Sequence, residues 1–179
     1  ETINNVENNS DEIKNETKSE SNNYNDETST SLNFNENIEN ADTSLLEQIY
    51  HESTLNVKIK YPLGWTYIDQ NLNNKLDGVT FWFPNSSNGI IPYVHLEVKG
   101  KDYFEPQRFK YKTKMNKYEA YYNDVEELEE QYSLMVYIRT KTKEDYVIKL
   151  VVNGEEPFKQ YQNVFWAMLK SFDFGFELF

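Results

Sequence analysis

Residues 154–172 read GEEPFKQYQNVFWAMLKSF, and the reading of this stretch decides the fold. Gly154 interrupts the chain, Glu155 and Glu156 place negative charge at a helix N-terminus, and Pro157 sits near the first helical position. Phe158, Tyr161, Phe165, Met168, Leu169 and Phe172 then fall at i, i+3, i+7, i+10, i+11 and i+14. They form one face of an amphipathic helix, which has to be buried against something. The segments upstream supply a sheet for it to lie across.

Immediately before the helix, Tyr132–Thr140 and Tyr146–Val152 read as a hairpin turning across Lys141–Asp145. Phe109–Tyr122 reads as another, turning near Asn116-Lys117. Further upstream, Val94, Leu96 and Val98 alternate with His95, Glu97 and Lys99. Val79–Phe83 is apolar on both faces, as a covered central strand would be. Leu55, Val57, Ile59 and Tyr61 alternate with polar residues, giving one wet face. Ahead of them, Ser44 with Glu47 three residues on makes a capping-box pattern, so a short helix is expected over Leu45–Tyr50.

Composition divides the chain. Residues 1–44 hold eleven carboxylates against Lys14 and Lys18, a net of −9. The other 135 residues carry 19 acids and 16 bases, a net of −3, so the total of −12 belongs mostly to the N-terminal tract. Apolar residues there (Ile3, Val6, Ile13, Leu32, Phe34, Ile38) are isolated, which predicts a disordered polar linker over residues 1–42. Residues 43–179 are expected to form a single globular domain, large enough to be stable without disulfides; the chain has no cysteine. No stretch approaches the ~20 apolar residues of a membrane span. The start at Glu1, with no leader, fits a mature chain whose targeting segment has been removed.

Candidate sites are few. The run Asp69–Gly78 places oxygens at Asp69, Asn71 and Asn73, as a calcium loop would. Asn74 and Thr80 stand where such a loop needs Gly and Glu, so an Asx-rich turn is the stronger reading. His95 and Glu97 share a strand face, yet no nucleophile elbow or phosphate loop accompanies them. Arg108, Lys110, Lys112 and Lys114 alternate with Phe109, Tyr111 and Thr113, so period-two geometry aligns four cations as a candidate anion-binding stripe. An edge strand guarded by lysines, or pairing with Glu126–Glu130, is the plainer account. The near-neutral domain lacks the positive excess that a nucleic-acid backbone requires.

Two motifs bracket the domain: Tyr61-Pro62-Leu63-Gly64-Trp65 after the first strand, and Leu169-Lys170-Ser171-Phe172-Asp173-Phe174 at the end of the helix. Together with the order of elements they make residues 53–174 similar to the PsbP-like (Mog1/PsbP-type) domains of bacterial surface lipoproteins. The resemblance implies an α+β fold, an antiparallel sheet with helices packed on it as an α/β/α sandwich, and no catalytic residues or cofactor. The polar N-terminal tract resembles the spacer behind the lipid-bearing cysteine of Gram-positive lipoproteins. The expected function is a non-catalytic extracytoplasmic binding or accessory domain at the cell surface. Its partner would be a protein or cell-envelope component, with the membrane reached only through a lipid anchor. A carboxylate-dependent hydrolase of a cell-surface polymer and a structural dimerising protein are the alternatives.

Overall fold

The computed structural model describes residues 33–86 and 89–175. The linker expected over residues 1–42 lies outside the described residues up to residue 32. Its last part is folded: Phe34–Asn40 form helix α1, and Phe34 is only 2% exposed. The domain therefore begins ahead of residue 43. Phe34 and Ile38 are four residues apart and share a helix face, and the Asn33 carboxamide caps the helix through the Glu36 N–H. Relative to a chain starting at Asn33, one starting at Thr43 should lose about 3 kcal/mol, the low end for two buried side chains at about 1.5–3 kcal/mol each, because ordering α1 costs entropy in return. Its thermal midpoint should fall by several degrees. Equal midpoints for the two truncations would remove α1 from the domain.

Strands β1 (Gln48–Glu52) and β2 (Val57–Tyr61) form a separate hairpin. The remaining strands are β3 (Thr66–Leu72), β4 (Lys75–Trp82), β5 (Tyr93–Gly100), β6 (Tyr111–Met115), β7 (Tyr118–Tyr122), β8 (Glu126–Leu128), β9 (Gln131–Arg139) and β10 (Glu144–Asn153). They make one antiparallel sheet ordered β3-β4-β5-β10-β9-β7-β6, with β8 added alongside β9. Helix α2 (Glu155–Ser171) follows the last strand.

The short helix expected over Leu45–Tyr50 is not formed. Asp42 caps a single 3-10 turn at Thr43–Leu45, and Gln48–Glu52 then pairs with Val57–Tyr61. The Glu52 carboxylate accepts from the Thr54 and Leu55 N–H groups, closing the turn between the two strands. Tyr50 becomes core while Ile49 points to solvent, a strand's alternation rather than a helix's.

The first face of the sheet carries the core. Phe158, Phe165, Met168, Leu169 and Phe172 of α2 are buried against Val79, Phe81, Leu96, Leu134, Ile138, Ile148 and Leu150. Trp166 and Ala167 are buried too, the first of them under α1; Phe34 meets Trp166 edge-on at 5.3 Å and stacks on Tyr122 at 4.6 Å. Lys170 in the last turn of α2 donates to the Glu39 and Ala41 carbonyls, tying the end of α2 to the end of α1. Asp173 pairs with Lys58 through both backbone bonds, extending β2, and Phe172 and Phe174 close over Tyr146.

Among the described residues, the second face carries no α-helix. A strap, residues 101–109, crosses it as two 3-10 turns (Lys101–Tyr103 and Pro106–Arg108). Phe104 and Phe109 of the strap cover Tyr121, Tyr137, Met135 and Val147. The two helices and the antiparallel sheet make an α+β domain, with the strap where a sandwich would carry its third layer.

Candidate functional site

The hairpin registers decide which cations meet. Strands β6 and β7 turn at Asn116 (φ 54°), which places Lys114 opposite Glu119; Glu119 in turn faces Arg139 of β9. Lys112, Lys114, Glu119 and Arg139 therefore lie on the sheet's second face, while Tyr111, Thr113 and Met115 face α1 and α2.

The expected four-residue stripe is divided. Arg108 is not on the strand but ends a 3-10 turn, where its guanidinium pairs with Glu105 at 3.2 Å. Lys110 pairs with Asp124 and Lys112 with Glu119, each at 2.8 Å. The bond to Asp124 raises the Lys110 ammonium above its ordinary value, and the bond to Lys112 holds the Glu119 carboxyl below its own. The acids that neutralise the stripe are thus Glu105, Asp124 and Glu119 rather than Glu126–Glu130. Lys114 has no ion-pair partner among the described residues.

Lys114 opens instead into a depression of about 610 Å³ at the tips of two hairpins. Lys117, Arg139 and Lys141 share its lining with Lys114, and Glu119 is the lining carboxylate, so four cations meet one acid for a net of +3. Thr140, Thr142 and Tyr118 add hydroxyls, and Phe174 with Gly175 forms an apolar wall. Arg139 is held by two neighbours. Its Nε lies 3.5 Å from Asp145, and its guanidinium sits 4.1 Å above the Phe104 ring. Lys117 reaches Asp173 at 3.1 Å, whereas Lys141, like Lys114, has no ion-pair partner among the described residues. Burial, reinforced by its bond to Asp173, pushes the Tyr118 phenol upward, so it stays a neutral donor. An arginine held in place, three lysines and hydroxyls around one hollow are what a multivalent anion requires. Lys117 and Lys141 sit in turns, and only the pairing of three strands brings them to Lys114 and Arg139. Placing the β6–β7 turn at Asn116-Lys117 was the one signal that pointed there.

The other candidates are placed differently. Asp69 and Asn71 lie on β3, and Asn73 with Asn74 forms a two-residue hairpin turn at φ 53° and 60°. The run expected as a loop is thus mostly strand, because Asn-Asn accepts the left-handed backbone that such a turn demands. Among the described residues, no three His, Asp or Glu are grouped to hold a metal. His95 bonds Thr80 through Nδ1 at 2.8 Å, and its ring lies over Gly78, where a Cβ would come 3.2 Å from Cε1. Burial pushes this imidazole down. Glu97 pairs with Lys99 rather than completing a dyad.

A second hollow, of about 510 Å³ beside the strap, holds Glu97, Glu105 and Glu126. Glu97 is half-buried and Glu105 exposed, and both are ion-paired, a poor setting for a general acid, which needs desolvation without a cation beside it to hold its proton. Deeper in, the Asp145 carboxylate is fully buried. It accepts from Lys101 Nζ (2.5 Å), Thr140 N–H (2.9 Å) and Tyr137 O–H (3.2 Å), besides pairing with Arg139. This group joins the start of the strap to β9 and β10. No helix among the described residues is long and apolar enough to cross a membrane.

No family model matches the chain, and no curated protein matches it in sequence. Among solved structures it is similar to the cyanobacterial PsbP protein (CyanoP) from Synechocystis sp. PCC 6803. The identity is 12% and the TM-score 0.51, over 72% of this chain and 92% of that one. It is also similar to a protein from Bacteroides thetaiotaomicron VPI-5482, at 12% identity and a TM-score of 0.45 over 68% of this chain; the match spans 46% of that protein. The likeness to CyanoP is one of fold, and it agrees with the PsbP-like antiparallel sheet and packed helices expected from the sequence.

Proposed function

We propose that this domain is a non-catalytic accessory module that binds an anionic component of the cell envelope through the depression formed by Lys114, Lys117, Arg139 and Lys141. The observation that carries this reading is the net +3 lining in a domain whose residues 45–179 together carry a net of −3. Solubility does not ask for cations to be gathered into one hollow of a near-neutral domain. The proposal places the domain outside the cytoplasm, on a Gram-positive surface. The acidic N-terminal tract serves as its spacer, and a lipid anchor outside this sequence holds it at the membrane. The resemblance to surface-lipoprotein domains supports that setting.

The test is titration with soluble polyphosphate and, separately, with vesicles carrying anionic headgroups. Wild type should bind at ~20 mM salt and release near ~500 mM, where the Debye length is a few ångströms. Lys114→Glu/Lys141→Glu should bind at least ~10-fold more weakly, whereas Lys110→Glu/Lys112→Glu, altering cations that already have partners, should change binding less than ~3-fold. Undiminished binding by the first double variant would discard the depression as the site. Binding to vesicles alone would assign the headgroups as its ligand, and binding to polyphosphate alone a free polymer.

A further inference from the structure

The two edges of the large sheet are built to opposite specifications. At one edge, β6 carries Lys112 and Lys114 just after Lys110, the usual device against strand addition. At the other, β3 reads Thr66-Tyr67-Ile68-Asp69-Gln70-Asn71-Leu72, with no lysine, arginine or proline. All seven residues are exposed, including Ile68 (57%) and Leu72 (62%). Among the described residues nothing pairs with its outer side. Its one charge, Asp69, is turned towards Tyr50, whose hydroxyl donates to it at 3.4 Å.

We propose that β3 pairs antiparallel with β3 of a second copy of this chain, about a two-fold axis at Ile68. The register follows from the strand itself. A β-bulge between Gln70 and Asn71 ends the regular ladder, leaving Thr66–Gln70 as the straight segment, and Ile68 is its centre. With the axis there, Ile68 meets Ile68, Thr66 meets Gln70, and Tyr67 meets Asp69 of the other copy. Each phenol thus faces a carboxylate, and the two carboxylates do not oppose one another. Centring the axis on Asp69 would set like charges directly opposite, which is unfavourable. The Ile68 register is self-complementary in its residue pairs and keeps the two carboxylates apart, as an isologous contact must. It would continue the sheet from one copy into the next.

Five paired residues bury less than a standard interface, so the dimer should form over roughly 10 µM to 1 mM. Two copies of charge −12 repel, and salt should therefore strengthen the dimer; association through opposite charges would weaken instead. Sedimentation of the full chain across this range tests both points. Ile68→Lys, at an exposed position, should keep the melting profile and stay monomeric. Because the chain has no cysteine, Ile68→Cys introduces a single thiol. Under mild oxidation it should form a disulfide-linked dimer at least ~10-fold faster than Leu72→Cys, since opposed residues on paired strands are close enough to bridge. A monomer at every concentration, an undiminished Ile68→Lys dimer, or equal cross-linking at the two positions would each overturn the proposal. So would β3 amides that become protected from exchange only when an unrelated extended peptide is added, which would make the edge a docking strand for another chain.

Discussion

Replacing Phe165 with alanine should destabilise the domain by about 3–5 kcal/mol in urea unfolding, the range for a buried phenylalanine cut to its β-carbon. The ring is 0% exposed, midway along the buried face of α2, and packs at 5.5 Å against Trp166. The void cannot collapse easily. Trp166 is pinned by Phe34 from α1, and α2 is fixed at both ends. The Gly154 N–H bonds the Glu130 carbonyl ahead of its first turn, and Lys170 bonds the α1 carbonyls at its last. On the exposed face, Gln160→Ala should stay within about 0.5 kcal/mol. A loss below ~1 kcal/mol for Phe165→Ala would mean that the helix presents another face to the sheet.

Asp145→Ala should cost about 3 kcal/mol and should also loosen one region before the rest. Removing this carboxylate strands Lys101 and Arg139 without their shared counter-charge and leaves the Tyr137 hydroxyl buried without its acceptor. Both cations are part-exposed and recover some hydration, so the loss lies at the low end of the range for broken buried pairs. Lys101 begins the strap, so amide exchange over residues 101–109 should accelerate more than in β5 or β10. Asp145→Asn preserves the shape and two acceptor contacts, and should lose roughly half as much. If both variants match wild type in stability and in strap exchange, the carboxylate is not what holds the strap down.

Most of the large sheet was legible because its signals are local. Alternation marked β5 and, in the separate hairpin, β2; the turn across Lys141–Asp145 marked β9 and β10, Asn116 marked another turn, and the stripe from Phe158 to Phe172 oriented α2. Two errors share one cause. Phe34 and Ile38 look isolated in a polar tract, and Ser44–Tyr50 looks helical, because neighbours along the chain carry no trace of contacts made across the fold. In the fold, Phe34 is recruited by Trp166 and Tyr122, and Tyr50 by Tyr67 and Phe81. Segments this short have little conformational preference of their own, so tertiary packing chooses for them.

By itself, then, the sequence determined the hairpins and the terminal helix with its buried face, since period and turn chemistry act over a few residues, while the α+β class came from the resemblance its two bracketing motifs carry. It also determined that most of the net negative charge belongs to residues 1–44. The partners were decided only by the tertiary structure. Asp145, a turn acid in the sequence, became the buried anchor of the strap, and Lys110, Lys112 and Lys114 were sorted into two paired lysines and one open to a basic hollow. Lys114 lies 25 residues before Arg139, and strand register joins them through Glu119. Charge interactions depend on distance in space, which a linear pattern does not carry until every strand has found its neighbour.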